Sequence, residues 1–207
     1  MVKPILFSTP MVQAILAGNK TQTRRVVKPQ PAYNYPQGYV MSSTDKKTEG
    51  CFAFCKVPDD SRIGQLIRPP YKPGDVLWVR ETWRLDNMRV EDGDGRADVV
   101  YKAGGTGPRI GGLHGSQTFA WRPSIFMPRE AARLHLKVTD LRAERVQDIF
   151  KEPPGPNNPI VKEGFSYGCD FIATWENLNA KRGFRWDANP WVWVISFEKT
   201  EKPEAET

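Results

Sequence analysis

The stretch ILAGNKTQTRRVVKP, residues 15–29, gathers Lys20, Thr21, Thr23, Arg24 and Arg25 without one acidic residue among them. In an extended chain side chains alternate, so Thr21, Thr23 and Arg25 share one face while Gln22 and Arg24 take the other. Lys20 has the wrong parity for Thr23 and joins it only by reaching in from the preceding turn on its long stem. Such residues support three kinds of chemistry. They can form a solvated turn, grip a phosphate or carboxylate while the threonines cap backbone groups, or line the working end of a pocket.

The elements around this strip must place it. KPILFS reads as a short strand. Thr9 is a good N-cap, with Pro10 at the first helical position, where a missing N–H costs nothing. Met11, Val12, Ile15 and Leu16 give the apolar side of a short helix that Gly18 ends in the left-handed conformation. Residues 29–74 carry many prolines and the polar run SSTDKKTEG, and read as a long excursion rather than a core element. Pro73-Gly74 suits a type II turn, and Val76 to Trp83 is rich in strand formers. Residues 85–120 form a second excursion, ending in the glycine-rich GGTGPRIGGLHGS. That run lacks dinucleotide-binding spacing and has no helix pattern behind it, so it reads as a hairpin end.

In ARLHLKVTDLRAERV, Leu134, Leu136 and Val138 alternate with His135, Lys137 and Thr139, which predicts a half-buried strand with His135 on its polar face. In DFIATWENLNAKRG, Phe171, Trp175 and Leu178 predict a helix stripe, with Asp170 as cap and Gly183 as terminator. NPWVWVISFEKT reads as a buried strand whose Trp191 and Trp193 pack one side rather than stack bases. The tail at 201–207 lacks the apolar residues needed to order it. Several short strands with few helices predict an α+β chain built on a small mixed β-barrel.

Bulk properties narrow the partners. The chain has 207 residues, 39% of them hydrophobic, enough for one domain over 1–200. A net charge of +6 and a pI near 9.3 favour polyanionic partners such as RNA, DNA or nucleotides. Cys51, Cys55 and Cys169 are odd in number, and MVKPILFSTP is too short in its apolar run for a secretory segment, so a reducing cytoplasm is expected. No stretch has the length of a membrane span. Two of these cysteines with His114 and His135 do not make a metal-ligand pattern, and neither metal nor cofactor is expected.

Gly18-x-Lys20-x-x-x-x-Arg25 after a helix, Lys72-x-Gly74-Asp75 before a strand, and an amphipathic strand leading to Glu163-Gly164 resemble the ASCH domains, small β-barrels related to the PUA fold. The chain is most similar to the larger ASCH proteins of bacteriophage and prophage genomes. These share wording such as KPILFSTPMV, TQTRRV, KPGDVLWVRETW, MPREAAR and NAKRGFRWDANPWVWVISF over nearly the whole chain, whereas small bacterial members lack 29–74 and 85–120. The resemblance implies association with RNA and, for some members, hydrolysis of N4-acetylcytidine and related acylated cytosines. Carried over by position, the implied catalytic residues are Lys20, Thr23 and Glu163, with Arg25 closing the motif.

In that chemistry Thr23 attacks, with Lys20 as base, and a carboxyl serves the departing amine or holds the base itself. Lys20 would have to titrate near neutrality, against about 10.4 for an ordinary lysine, a cost of about 4 kcal/mol that burial and Arg25 would supply. The prolines of IFKEPPGPNNPIVKEGF, where a continuous helix is expected, raise the question of whether Glu163 reaches the site; Glu81 is its substitute. The competing reading is a non-catalytic RNA- or DNA-binding module, with Lys20, Arg24, Arg25, Lys28 and Arg122 along a basic groove. A ribonuclease is a third reading. A monomer is favoured, and the substrate expected is a modified nucleoside.

Overall fold

The computed structural model describes residues 2–40, 42–58, 64–88, 96–111, 120–153, 155 and 157–203. The chain is α+β, with strands in three sheets and a few short helices. Contacts gather it into two compact units, one of Met1–Gly18, Asp75–Lys137 and Glu198–Thr207, the other of Asn19–Gly74 and Val138–Phe197.

In the first unit β1 (Val2–Leu6) runs parallel to β6 (Val76–Arg80), with Val2 opposite Val76 and Leu6 opposite Arg80. Ile5, Leu77 and Val79 are buried there. Helix α1 (Thr9–Leu16) buries Val12 and Ile15. Its N-cap is Ser8, not Thr9, because Thr9 already has helical geometry; Gly18, at φ +80°, ends it as expected.

The strand expected over Val76 to Trp83 is two strands. β6 stops at Arg80, and β7 (Trp83–Met88) opens a separate sheet with β8 (Ala97–Tyr101) and β9 (Thr106–Ile110). Region 85–120 is therefore partly core. Leu85, Ala97, Val99, Tyr101 and Ile110 cluster with Trp78, Trp83, Met127, Ala131 and Ala132, because β8 alternates with period two. Gly104 and Gly105, at φ +99° and +83°, make the β8–β9 turn, while residues 112–116 of the glycine run lie outside the described residues.

In the second unit β2 (Gln22–Val26) pairs antiparallel with β11 (Trp191–Thr200). Region 29–74 also supplies core. It holds the sheet β3 (Tyr35–Tyr39), β4 (Phe52–Cys55) and β5 (Gln65–Ile67), and every residue of β4 is buried. The prolines fall in the connections and on edge strand β3, which leaves FAFC for the central strand, where all ladder bonds are needed. Phe52 packs against Trp193 at 5.4 Å and Phe54 against Trp191 at 5.6 Å between ring centroids. The opposite face of β11 presents Val192 and Val194 to Val146, Ile149, Phe171 and Trp175. A strand covered on both faces is apolar on both, as β11 is over Trp191–Ile195.

Helix α3 (Gly168–Asn179) starts after Tyr167, so Asp170 lies in its first turn instead of capping it. Its buried stripe is Phe171, Trp175 and Asn179, each four residues on, and Leu178 is 50% exposed. Strand β10 (His135–Arg145) begins with a second departure. His135 is buried, opposite Trp78 of β6, rather than on a solvated face. Within the first unit the start of β10 pairs with β6, which pairs with β1. Among the described residues no helix is long and apolar enough to cross a membrane. Residues 204–207 of the tail lie outside the described residues.

Candidate functional site

The main chain brings two distant segments together before any side chain acts. Lys20 forms an isolated antiparallel bridge with Glu163, and Thr21 N–H donates to the Lys162 carbonyl at 2.8 Å. On its other side the Thr21 carbonyl accepts from Phe197 N–H at 2.9 Å.

Glu163 is held by a single-turn helix, α2 (Pro159–Lys162), in place of the continuous helix expected. Asn158 caps it, its Oδ1 accepting from Ile160 N–H at 2.9 Å, and Pro159 occupies the first turn. Glu163 is the C-cap, and Gly164 follows at φ +84°, a conformation that costs a side chain about 1–2 kcal/mol. Pro159, at the start of α2, thus helps place Glu163 rather than displace it.

Both Glu163 carboxylate oxygens accept from cations. Lys20 Nζ donates to Oε2 at 2.7 Å and also to the Glu163 carbonyl at 2.9 Å. Arg24 Nη1 donates to Oε1 at 3.1 Å, and Arg24 Nη2 reaches Glu144 Oε2 at 3.2 Å. Glu144 in turn accepts from Arg142, which also donates to Asp140 at 3.1 Å. The Lys20, Arg24 and Glu163 side chains are 0%, 1% and 3% exposed, against 22% for Glu144. Buried charges are tolerated only when paired and hydrogen-bonded, and here one carboxylate serves two cations while a second supports the arginine.

Burial pushes the Lys20 amine below its ordinary range. Glu163 opposes that shift, and Arg25 and Arg24 add to it. Burial likewise lowers Arg25, helped by Arg182 and opposed by Tyr71 and Glu163. Both arginines of the motif therefore act on the same ion pair.

The register of β2 on β11 sets the faces. Arg24 lies opposite Val194, and Thr23 and Arg25 lie opposite Ile195 and Trp193. Paired residues share a face, so Arg24 points to the Val194 side and Thr23 to the Ile195 side. Thr23 is buried and Thr21 is exposed. The structure thus joins Lys20, Arg24 and Glu163, and sets Thr23 beside Arg25 on the other face of the same strand.

Glu81 and Arg122 belong to the first unit. Glu81 is buried, and its oxygens accept from Arg133 Nε and Nη2, both at 2.9 Å. Arg133 also lies 3.9 Å from the centre of the Tyr101 ring. Arg122 stacks 5.2 Å over Trp83, and their main chains bridge.

Sequence reasoning missed Glu144 and Arg142. The alternation of β10, where Leu141 and Ala143 are buried, was the available signal, since it turns both charged residues to the opposite face. A concavity of about 450 Å³ lined by Arg142, Glu144, Asp148, Lys151, Glu152 and Pro159 opens at this outer end of the network. Compared with known proteins, the chain matches no family model, no curated protein and no solved structure.

Proposed function

We propose that the chain is a PUA-like protein of the ASCH type that binds a nucleoside or nucleic acid and hydrolyses the exocyclic amide of an N4-acylated cytidine or a related modified pyrimidine. In this reading the chain is built on a small mixed β-barrel, and the protein works as a cytoplasmic monomer. The observation that carries the reading is the buried Lys20–Glu163 pair at 2.7 Å, built on the Gly-x-Lys motif. Amide hydrolysis needs one group to take a proton from the attacking hydroxyl and another to protonate the leaving nitrogen. Two titratable groups sharing one short hydrogen bond, one of them a lysine lowered by burial, supply that pair. In this scheme Thr23, on the face of β2 opposite to that of Arg24, is the nucleophile that the resemblance implies, and its acyl ester is then cleaved by water.

The binding-only reading asks Lys20 and Arg24 to grip phosphates along an open groove. Their side chains are 0% and 1% exposed and engaged by carboxylates, which favours the enzyme.

The test is to incubate the purified protein with N4-acetylcytidine, other N4-acyl cytidines and short RNAs, and separate the products by chromatography. Cytidine and free acid, formed by the native chain and lost in Lys20→Ala, are expected. Unchanged nucleosides together with salt-sensitive RNA binding would overturn the hydrolase, and RNA fragments lost in Lys20→Ala would replace it with a ribonuclease.

A further inference from the structure

We propose that the first unit carries a platform for single-stranded nucleic acid, on which bases stack against Trp121 and Phe126 and phosphates are held by Arg80, Arg84 and Arg122. None of these residues belongs to the Lys20–Arg24–Glu163 network, so the platform goes beyond the hydrolase reading and does not draw on it.

Main-chain bonds fix the segment Trp121–Phe126 along β7. Trp83 N–H donates to the Arg122 carbonyl at 3.2 Å, and Arg122 N–H donates to the Trp83 carbonyl at 2.7 Å. That bridge is antiparallel, so the next pair along is Arg84 with Trp121, and their side chains share a face. The Arg84 guanidinium accordingly lies 5.3 Å from the centre of the Trp121 ring. Arg122 takes the other face, over Trp83. Arg80 lies 5.3 Å from the centre of the Trp78 ring, and its Nη2 donates to the Ile125 carbonyl. Three guanidiniums are thus laid on indole rings around one short segment.

Stacking decides what these arginines can still do. A guanidinium laid on an indole uses its face and keeps in-plane N–H groups for an anion. Arg24 and Arg133, by contrast, commit theirs to carboxylates. Arg84 pairs with Asp86 only at 3.7 Å, longer than a hydrogen bond.

Beside these cations Trp121, Ile125 and Phe126 are 44%, 57% and 68% exposed. An apolar cluster of this kind at the surface marks a contact site, and here its occupant must bring flat apolar faces and negative charge together. A single-stranded polynucleotide carries both in every repeat, a base to stack and a phosphate to pair. A duplex hides its base faces, and one nucleotide offers a single ring. The net charge of +6 adds long-range attraction for such a chain.

The test titrates the full chain with labelled oligouridylate, oligothymidylate and a duplex of the same length. Both single strands should bind alike, because stacking and phosphate contacts do not read the sugar, and both should quench tryptophan fluorescence. The duplex should bind about tenfold more weakly. Trp121→Ala and Phe126→Ala alter exposed side chains and should keep the melting temperature, yet each should weaken single-strand binding about tenfold. Trp121→Phe should recover most of that affinity without the quenching. Arg84→Gln and Arg122→Gln should each make the log–log salt dependence shallower by about 0.7.

Single-strand affinity unchanged in both Trp121→Ala and Phe126→Ala overturns the platform, as does equal affinity for the duplex. A native dimer that dissociates in Phe126→Asp would assign the patch to a second copy of the chain and overturn it too. Hydrolysis of free N4-acetylcytidine should be unchanged in Trp121→Ala. If the native chain cleaves no N4-acyl cytidine, the hydrolase reading falls while oligomer binding still decides the platform.

Discussion

Lys20 and Glu163 are 143 positions apart in the chain, yet their main chains form a bridge and the lysine ammonium donates to both the carboxylate and the carbonyl of the glutamate. The backbone contact brings the residues close, and the side chains then exclude water from the charges. The buried pair is thus anchored by peptide groups and does not rest on two flexible stems finding each other.

The asymmetry of the network predicts unequal costs. Glu163→Gln removes the partner of two buried cations, whereas Lys20→Met leaves Glu163 paired with Arg24. Glu163→Gln should lose about 3 kcal/mol in urea unfolding, and Lys20→Met clearly less. Combining the two should cost less than the sum of the single changes. A larger loss for Lys20→Met would mean that Arg24 does not stabilise the carboxylate.

The caps of α2 predict a coupling between stability and activity. Asn158 accepts from Ile160 N–H and its amide donates to the Glu152 and Pro153 carbonyls at 3.0 and 2.9 Å. Asn158→Ala should cost about 1 kcal/mol and Asn158→Asp less, since aspartate also caps. Gly164→Ala should cost about 1 kcal/mol through its positive φ. Each lowers the melting temperature by about 2–4 °C for a chain of this size. Because Glu163 lies between these positions, hydrolysis should fall further in Gly164→Ala than the melting shift alone explains. Unchanged kcat in a destabilised Gly164→Ala would separate the helix end from the chemistry.

His135 predicts a stability slope in mild acid. Its titration is lowered from 6.5, first by burial and then by Lys202 and Arg129. Above 6.5 folded and unfolded chains both carry a neutral imidazole, and the residue gives no pH dependence. As the pH falls below 6.5 the unfolded chain takes up the proton first, so stability drops until the folded imidazole also titrates. The urea midpoint should therefore fall more for the native chain than for His135→Gln between about pH 7 and about pH 5. Equal slopes in the two proteins would show that the imidazole is protonated alike in both states.

Much of the local structure could be read from neighbouring residues. Pro10 and Gly18 bound α1, Gly74 takes the positive φ of its turn, and Gly183 takes the left-handed conformation after Arg182. Asn158-Pro159 and Glu163-Gly164 likewise mark both ends of α2, a signal hidden among prolines that read as breakers. The burial of FAFC escaped the sequence because prolines on either side suggested exposure, whereas strand order made that segment central. His135 and Leu178 were misplaced for a related reason. Alternation and helical period give the spacing of a face, but what covers each face is set by elements distant in the chain.

Taken alone, the sequence determined the short-range terms: where turns close, where helices stop, and that a cationic strip follows Gly18. Tertiary structure alone decided that Glu163 meets Lys20, that Arg24 divides itself between two carboxylates, and that Thr23 faces the other side of β2. Caps and backbone strain act between neighbouring residues, so they are written locally. The partner of a buried charge is fixed by strand register and burial across the chain, where a one-residue slip would exchange every face.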